Sequence, residues 1–233
     1  MQHPIAIRAG ESARAAFIRR TYGHLAGAIL ALIILEYGLL HLPNVSELVL
    51  GMVGSPLTWL LVMGAYMGVS YLADAWARSD VSPGLQYLGL ALYVAAVSVV
   101  FLPLLYLVAF IAKAPNLIAN AGILTGAMFV GLTLAVFTTR RDFSFLRPIL
   151  CIGSFLALGA IIAYAFIGGS AFGLVIAFGM VGLMSISILY QTSGVLHHYR
   201  TDQHVAAALA LFASVATLFY YILWILLQTQ RRD

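Results

Sequence analysis

The sequence predicts an all-α membrane protein of seven transmembrane helices. Hydrophobic residues make up 63% of the 233, and charged residues only 9%. A soluble domain carries roughly 25% charge, so this chain has too little to cover itself with a solvated surface. Its apolar runs match or exceed the ~20 residues that cross a bilayer as helix, and only short polar separators divide them.

The spans fall at 21–42, 48–73, 84–111, 117–138, 147–168, 171–196 and 204–227. "HLPNVSE" ends the first, "DAWARSDVSPG" the second, "AKAPN" the third and "TTRRDFSFLRP" the fourth. "GGS" follows the fifth and "HHYRTDQ" the sixth. No separator is long enough to fold alone, so the expected organisation is a polar N-terminal tail (1–18), one transmembrane domain (19–229) and a short C-terminal tail (230–233). No internal repeat or low-complexity segment interrupts this plan.

Arg and Lys near span ends set orientation. With the N-terminus inside, the inner side carries nine basic residues (Arg8, Arg14, Arg19, Arg20, Arg78, Arg140, Arg141, Arg147, Arg200) and the outer side three (Lys113, Arg231, Arg232). An N-terminus in the cytoplasm and a multi-pass protein of the inner membrane are expected. The terminal Arg pair argues the other way for the C-terminus, which a re-entrant last segment would return to the cytoplasm. The first apolar run is too long for the h-region of a cleavable signal. The net charge of +4 sets topology and gives no reason to expect nucleic acid.

Glycines four apart (Gly23/Gly27, Gly64/Gly68, Gly122/Gly126) predict close helix packing within the bundle, or dimerisation through one such face. Ionisable residues inside a membrane are costly and functionally suspect. Glu36 is expected to reach the outer interface beside His41, and His24 to be a neutral, hydrogen-bonded imidazole. Asp74 and Arg78 are four apart at the inner end of the second span, an interfacial ion pair.

Gln191 is the main suspect. It precedes His197 by six residues, about 9 Å inside the boundary at ~1.5 Å per residue. A primary amide at that depth needs partners. Ser187 lies one turn away on the same face. The last span carries Ala207, Ala210, Ser214, Thr217 and Tyr221 at spacings of three and four, a small and increasingly polar stripe. Gln191 and Ser214 are placed to face each other across an antiparallel pair. The plain reading is an interhelical hydrogen bond, and the functional one a polar lumen or ion path through Gln191, Ser214, Ser187, Thr217 and Tyr221.

The histidines in "HHYRTDQH" make a poor metal site. His197 and His198 point about 100° apart on a helix, and a zinc site needs three or four convergent ligands. Thr201 or Asp202 is expected to cap the last helix. The only cysteine, Cys151, allows no intrachain disulfide. No nucleophile elbow, zincin or phosphate-loop motif occurs, so no catalytic residue, cofactor or enzyme activity is expected.

Four stretches together resemble the Bax inhibitor-1 family, in particular its bacterial YccA-like branch: "RRTY" (19–22), "FLPLLY" (101–106), "TTRRDFSFLRP" (138–148) and "LYQTSGVLHHYRTDQHVAAALALFASVATLF" (189–219). The resemblance implies a seven-helix bundle with the last helix central. It implies two kinds of activity. Some members are calcium leaks gated by paired aspartates on the sixth and seventh helices. The YccA-like members are associated with a membrane-anchored AAA protease, FtsH. At the matching positions this chain has Gln191 in "LYQT" and Ser214 in "LFAS", so both acids are missing. The second span also lacks the Glu of the leak-type members, and Arg78 lies beyond its end. An amide and a hydroxyl form no titrating carboxylate pair and bind Ca²⁺ weakly. Two expectations follow: a non-catalytic partner of an FtsH-like protease or stress response, and a leak for Ca²⁺ or another cation without the pH gate.

Overall fold

A computed structural model describes residues 5–6, 9–79 and 82–230. Arg8, Arg231 and Arg232 of the charge comparison lie outside the described residues, as do parts of both expected tails and Asp80 and Val81 of one separator. The described chain forms eight α-helices: α1 (Glu11–Leu40), α2 (Val45–Val53), α3 (Pro56–Ala77), α4 (Pro83–Tyr106), α5 (Asn116–Thr139), α6 (Arg147–Ile167), α7 (Ser170–His197) and α8 (His204–Gln230). All except α2 are long and apolar enough to cross a membrane, which makes seven spans.

The expected second span is divided. Residues 48–53 belong to α2, and the membrane helix begins only at Pro56. The cause is local. Ser55 is extended, its side chain accepts a hydrogen bond from the Thr58 backbone N–H, its own N–H donates to Thr58 Oγ1 in return, and Pro56 supplies a preset φ at the first helical position. That stop-and-start outweighs the unbroken apolarity of the segment.

The first helix starts at Glu11, ahead of the expected 21 and within the segment read as a tail. Before it, Ile5 bridges Arg200, and the Ala6 N–H donates to the Tyr199 carbonyl at 2.9 Å. Ala6 is fully buried there.

Other boundaries follow backbone chemistry. The α6–α7 turn uses Gly168 and Gly169 at φ +65° and +92°, a region that favours glycine. Pro103 sits inside α4, and the helix ends in a π-helical turn over Leu107–Ile111. Arg140 closes α5 in the left-handed region, its N–H returning to the Val136 carbonyl. The segment after it docks on α7: the Phe143 N–H donates to Ser193 Oγ at 2.9 Å, and His198 Nε2 lies 3.0 Å from Asp142 Oδ1.

The last helix is central. α8 packs against α1, α3, α4, α5 and α7. Of its most apolar stretch 56% is buried, against 44% for α4 and at most 22% for any other span. α6 is at the rim, with no buried residue. Chain direction brings the start of α1, the end of α3, the start of α4 and the α7–α8 turn to one end of the bundle, the end that carries most of the Arg residues.

The glycine pairs do not pack as expected. A Cβ added at Gly23, Gly27, Gly64, Gly68, Gly122 or Gly126 would meet nothing within 4 Å. The close approach is elsewhere, at Gly89 of α4. A Cβ there would lie 2.6 Å from the Ala73 carbonyl oxygen and 2.7 Å from the Ala77 nitrogen of α3. Spacing finds a face that admits a neighbour; it does not say which faces have one.

Glu36 also departs from expectation. Leu25, Ala28, Leu32 and Glu36 share the buried stripe of α1, so the carboxyl turns inward. Glu36 is only 6% exposed, and neither carboxylate oxygen has a partner among the described residues. His41 instead lies 2.7 Å from the Tyr37 carbonyl.

Candidate functional site

Two groups that the sequence keeps apart meet in one cavity. It measures about 370 Å³ and lies between α3, α7 and α8. Asp74 and Arg78 line it from the end of α3, Ser187 and Gln191 from α7, and Ser214 and Thr217 from α8. Small residues make the room. Ala210 and Ala213 face it from α8 where larger side chains would close it.

The polar groups are bonded. Ser187 Oγ and Ser214 Oγ are 2.8 Å apart, which joins α7 to α8. The Ser214 hydroxyl also reaches the Ala210 carbonyl at 3.2 Å, and the Thr217 hydroxyl donates to the Ala213 carbonyl at 2.8 Å. So Ser214 faces Ser187 rather than Gln191. Gln191 Oε1 instead accepts from the Tyr199 hydroxyl at 3.4 Å.

Asp74 and Arg78 form the expected ion pair at the mouth. Arg78 Nε donates to Oδ2 at 2.8 Å and to Oδ1 at 3.0 Å, with both side chains about half exposed. This raises the Arg78 guanidinium further above its already high value, against the cost of burial. Burial also raises the Tyr199 phenol, although the nearby Arg78 opposes the shift. Tyr199 was invisible to motif reasoning. The fold places its ring over Gly194, where an added Cβ would touch it at 3.4 Å.

The cavity does not run the length of α8. Its lining on α8 stops at Thr217, about 20 Å along the axis from His204 at ~1.5 Å per residue. Beyond, Leu218, Ile222, Leu223 and Leu227 are buried. Tyr221, expected in the polar path, is not a lining residue; its ring packs edge-on against Tyr220.

The three histidines of the α7–α8 turn go to three different places. His197 Nδ1 lies 3.0 Å from the Ser193 carbonyl, His198 meets Asp142, and the His204 ring sits 5.0 Å from His24. Asp202 holds Arg200 at 3.1 Å, and Gln203, not Thr201 or Asp202, directly precedes α8 and accepts from the Arg200 N–H through its side chain. The Asp142 carboxyl feels burial, which raises it, but the hydrogen bonds from His198 and Ser144 prevail and hold it below the ordinary range.

This arrangement is a central helix hydrogen-bonded to its neighbour beside a cavity with polar groups in its lining. Residues 14–232 match the family described as inhibitor of apoptosis-promoting Bax1. The chain belongs to the Bax inhibitor-1 family. Among its relatives, an uncharacterized protein of Pseudomonas aeruginosa is 36% identical over 110 residues, covering 47% of this chain and 49% of that one. The modulator of FtsH protease YccA of Escherichia coli is 31% identical over 102 residues, covering 44% and 46%. Protein lifeguard 4 of the mouse is 30% identical over 114 residues, covering 46% and 45%. The chain spans about half the length of the curated relatives it matches. Within the Bax inhibitor-1 family the chain thus has relatives in both bacteria and a mammal.

Proposed function

We propose that this Bax inhibitor-1 family protein is a non-catalytic modulator of a membrane-anchored AAA protease of the FtsH type, set in the cytoplasmic membrane with its N-terminus inside. The observation that carries the reading is the similarity to the Escherichia coli modulator of FtsH protease. The site is compatible with it. The two positions that would supply a titrating acid pair are Gln191 and Ser214, and the cavity beside them ends at Thr217. The Arg-rich end offers the polar surface a cytoplasmic partner would meet. The test is copurification of the full chain in mild detergent, with turnover of a membrane substrate of the protease read in parallel. The protease should copurify and turnover should slow. Removal of residues 1–9, which leaves α1 whole, should weaken both. No recovered protease together with unchanged turnover sinks the reading.

A cation leak, for Ca²⁺ or another ion, is the second reading, and the cavity favours it. Its path would run from Asp74 and Arg78 past Gln191 and Ser214 and would need an opening beyond Thr217. Calcium flux into liposomes at pH 6 and pH 8 decides it. Equal conduction at both pH values by the wild type supports a leak without a gate. A silent wild type, with pH-dependent flux only after Gln191→Asp and Ser214→Asp together, leaves the modulator.

A further inference from the structure

A second hollow lies between α1 and α4. It is a groove of about 530 Å³. Gly23, Gly27 and Ala31 form one wall, and Tyr87, Ala91 and Val94 the other. The glycines face open space, and a Cβ added at either would meet no side chain of the described residues within 4 Å. From Arg20 to Leu35 the groove follows α1 for about 22 Å at ~1.5 Å per residue. One leaflet of the hydrocarbon core is about 15 Å thick, so the groove is deep enough to take one lipid tail end to end.

Its mouth is basic. Arg19 and Arg20 line it, are exposed, and form no salt bridge among the described residues. His24 lies beside them, its Nδ1 2.6 Å from the Arg20 carbonyl and its ring stacked on Tyr87 at 5.4 Å. His204, 5.0 Å from the His24 ring, keeps a buried Nδ1 with no hydrogen-bond partner among the described residues. Apolar walls running into the membrane under an unneutralised cationic mouth match one molecule: a tail with a negative head.

We propose that this groove holds an acyl chain of an anionic phospholipid, with the headgroup phosphate on Arg19 and Arg20. A zwitterionic lipid has the same tail and no net charge to answer the pair. A second transmembrane helix would fit the glycines but leave the two guanidinium groups unmatched. Basic clusters at helix ends commonly select anionic lipid in this way.

The experiment is native mass spectrometry of the full-length protein after exchange into phosphatidylglycerol or phosphatidylcholine of identical chains. The wild type should retain phosphatidylglycerol about tenfold over phosphatidylcholine. Arg19→Gln with Arg20→Gln should bring that ratio within about twofold, and Arg19→Lys with Arg20→Lys should restore most of it, because Lys keeps the charge. Gly27→Leu should reduce retention of both lipids, since it puts a large side chain into the groove at a position where an added Cβ meets nothing within 4 Å. Equal retention of the two lipids by the wild type overturns the proposal. So does phosphatidylglycerol retention that survives Gly27→Leu. Disulfide-linked dimers of Gly27→Cys in a Cys151→Ser background would overturn it too, and would assign the groove to a second copy.

Discussion

The two halves of α8 share one helix and behave as different materials. The half nearer its start is rich in Ala, Ser and Thr among a few large residues such as Leu209, Leu211 and Phe212, and it borders a cavity that it lines with Leu209, Ala210, Ala213, Ser214 and Thr217. The far half, from Leu218 to Leu227, carries Leu, Ile, Phe, Tyr and Trp and seals the bundle. In lipid, helices gain little from hydrophobicity alone, because the tails are as apolar as leucine. Side-chain size and hydrogen bonds decide instead. Small residues bring α7 and α8 close enough for the 2.8 Å bond between Ser187 and Ser214, and they leave space beside it. Large residues fill the same cross-section and leave none.

The hardest way to break this contrast is in the sealed half. Leu223 is fully buried. Leu223→Ala should cost about 2 kcal/mol, the low end for such a truncation, because a leucine freed from this core enters lipid rather than water. Thermal unfolding in detergent reads the loss. A pair of enlargements sharpens the contrast further. Ala208 is fully buried and lines neither this cavity nor the α1–α4 groove, whereas Ala213 faces the cavity. Ala208→Leu should cost about 1–3 kcal/mol by overpacking, and Ala213→Leu distinctly less. Equal losses would mean that the cavity closes in the membrane. Next comes the serine pair. Ser187→Ala and Ser214→Ala should each cost about 0.6–1.7 kcal/mol, with a double-mutant cycle showing most of it as coupling.

The smallest effect lies outside the membrane, on the segment that docks to α7. The Asp142 carboxyl is held below its ordinary value of 3.8. A group with a lowered folded pKa adds stability that is present above its unfolded value and is lost as pH falls through the folded one. The protection of the amides over 143–146, taken relative to their intrinsic exchange rates, should therefore fall below about pH 4, by a small factor because the pair is about half exposed. Asp142→Asn should remove the pH dependence.

The spans, their order and the Arg-rich end were legible because length and apolarity alone determine which segments cross a bilayer. The break at Ser55–Pro56 was not read: the apolar run 48–73 masked the capping signal that decides it. Glycine spacing misled, because Gly23 and Gly27 border a groove whereas the tight contact falls on the lone Gly89. Gln191, Ser187, Ser214 and Thr217 were found from depth and periodicity. Their meeting with Asp74 and Arg78 was not, since those lie more than a hundred residues earlier and only tertiary packing joins them. Tyr199 was missed for a related reason: a turn residue's reach depends on how the turn folds back, and no local pattern encodes that.

The position of α8 has a consequence for how the protein is made. The ribosome produces the axle after the other six spans, including all five of the helices packed against it. Until then the faces of α1, α4, α5 and α7 that will touch it stand against lipid, with Ser187 and Gln191 lacking their final neighbours. The early helices must therefore hold a gap open, or part again, to admit a latecomer sideways. A chain halted before His204 is a wheel without its hub, and its half-made bundle presents polar groups to the bilayer for as long as the halt lasts.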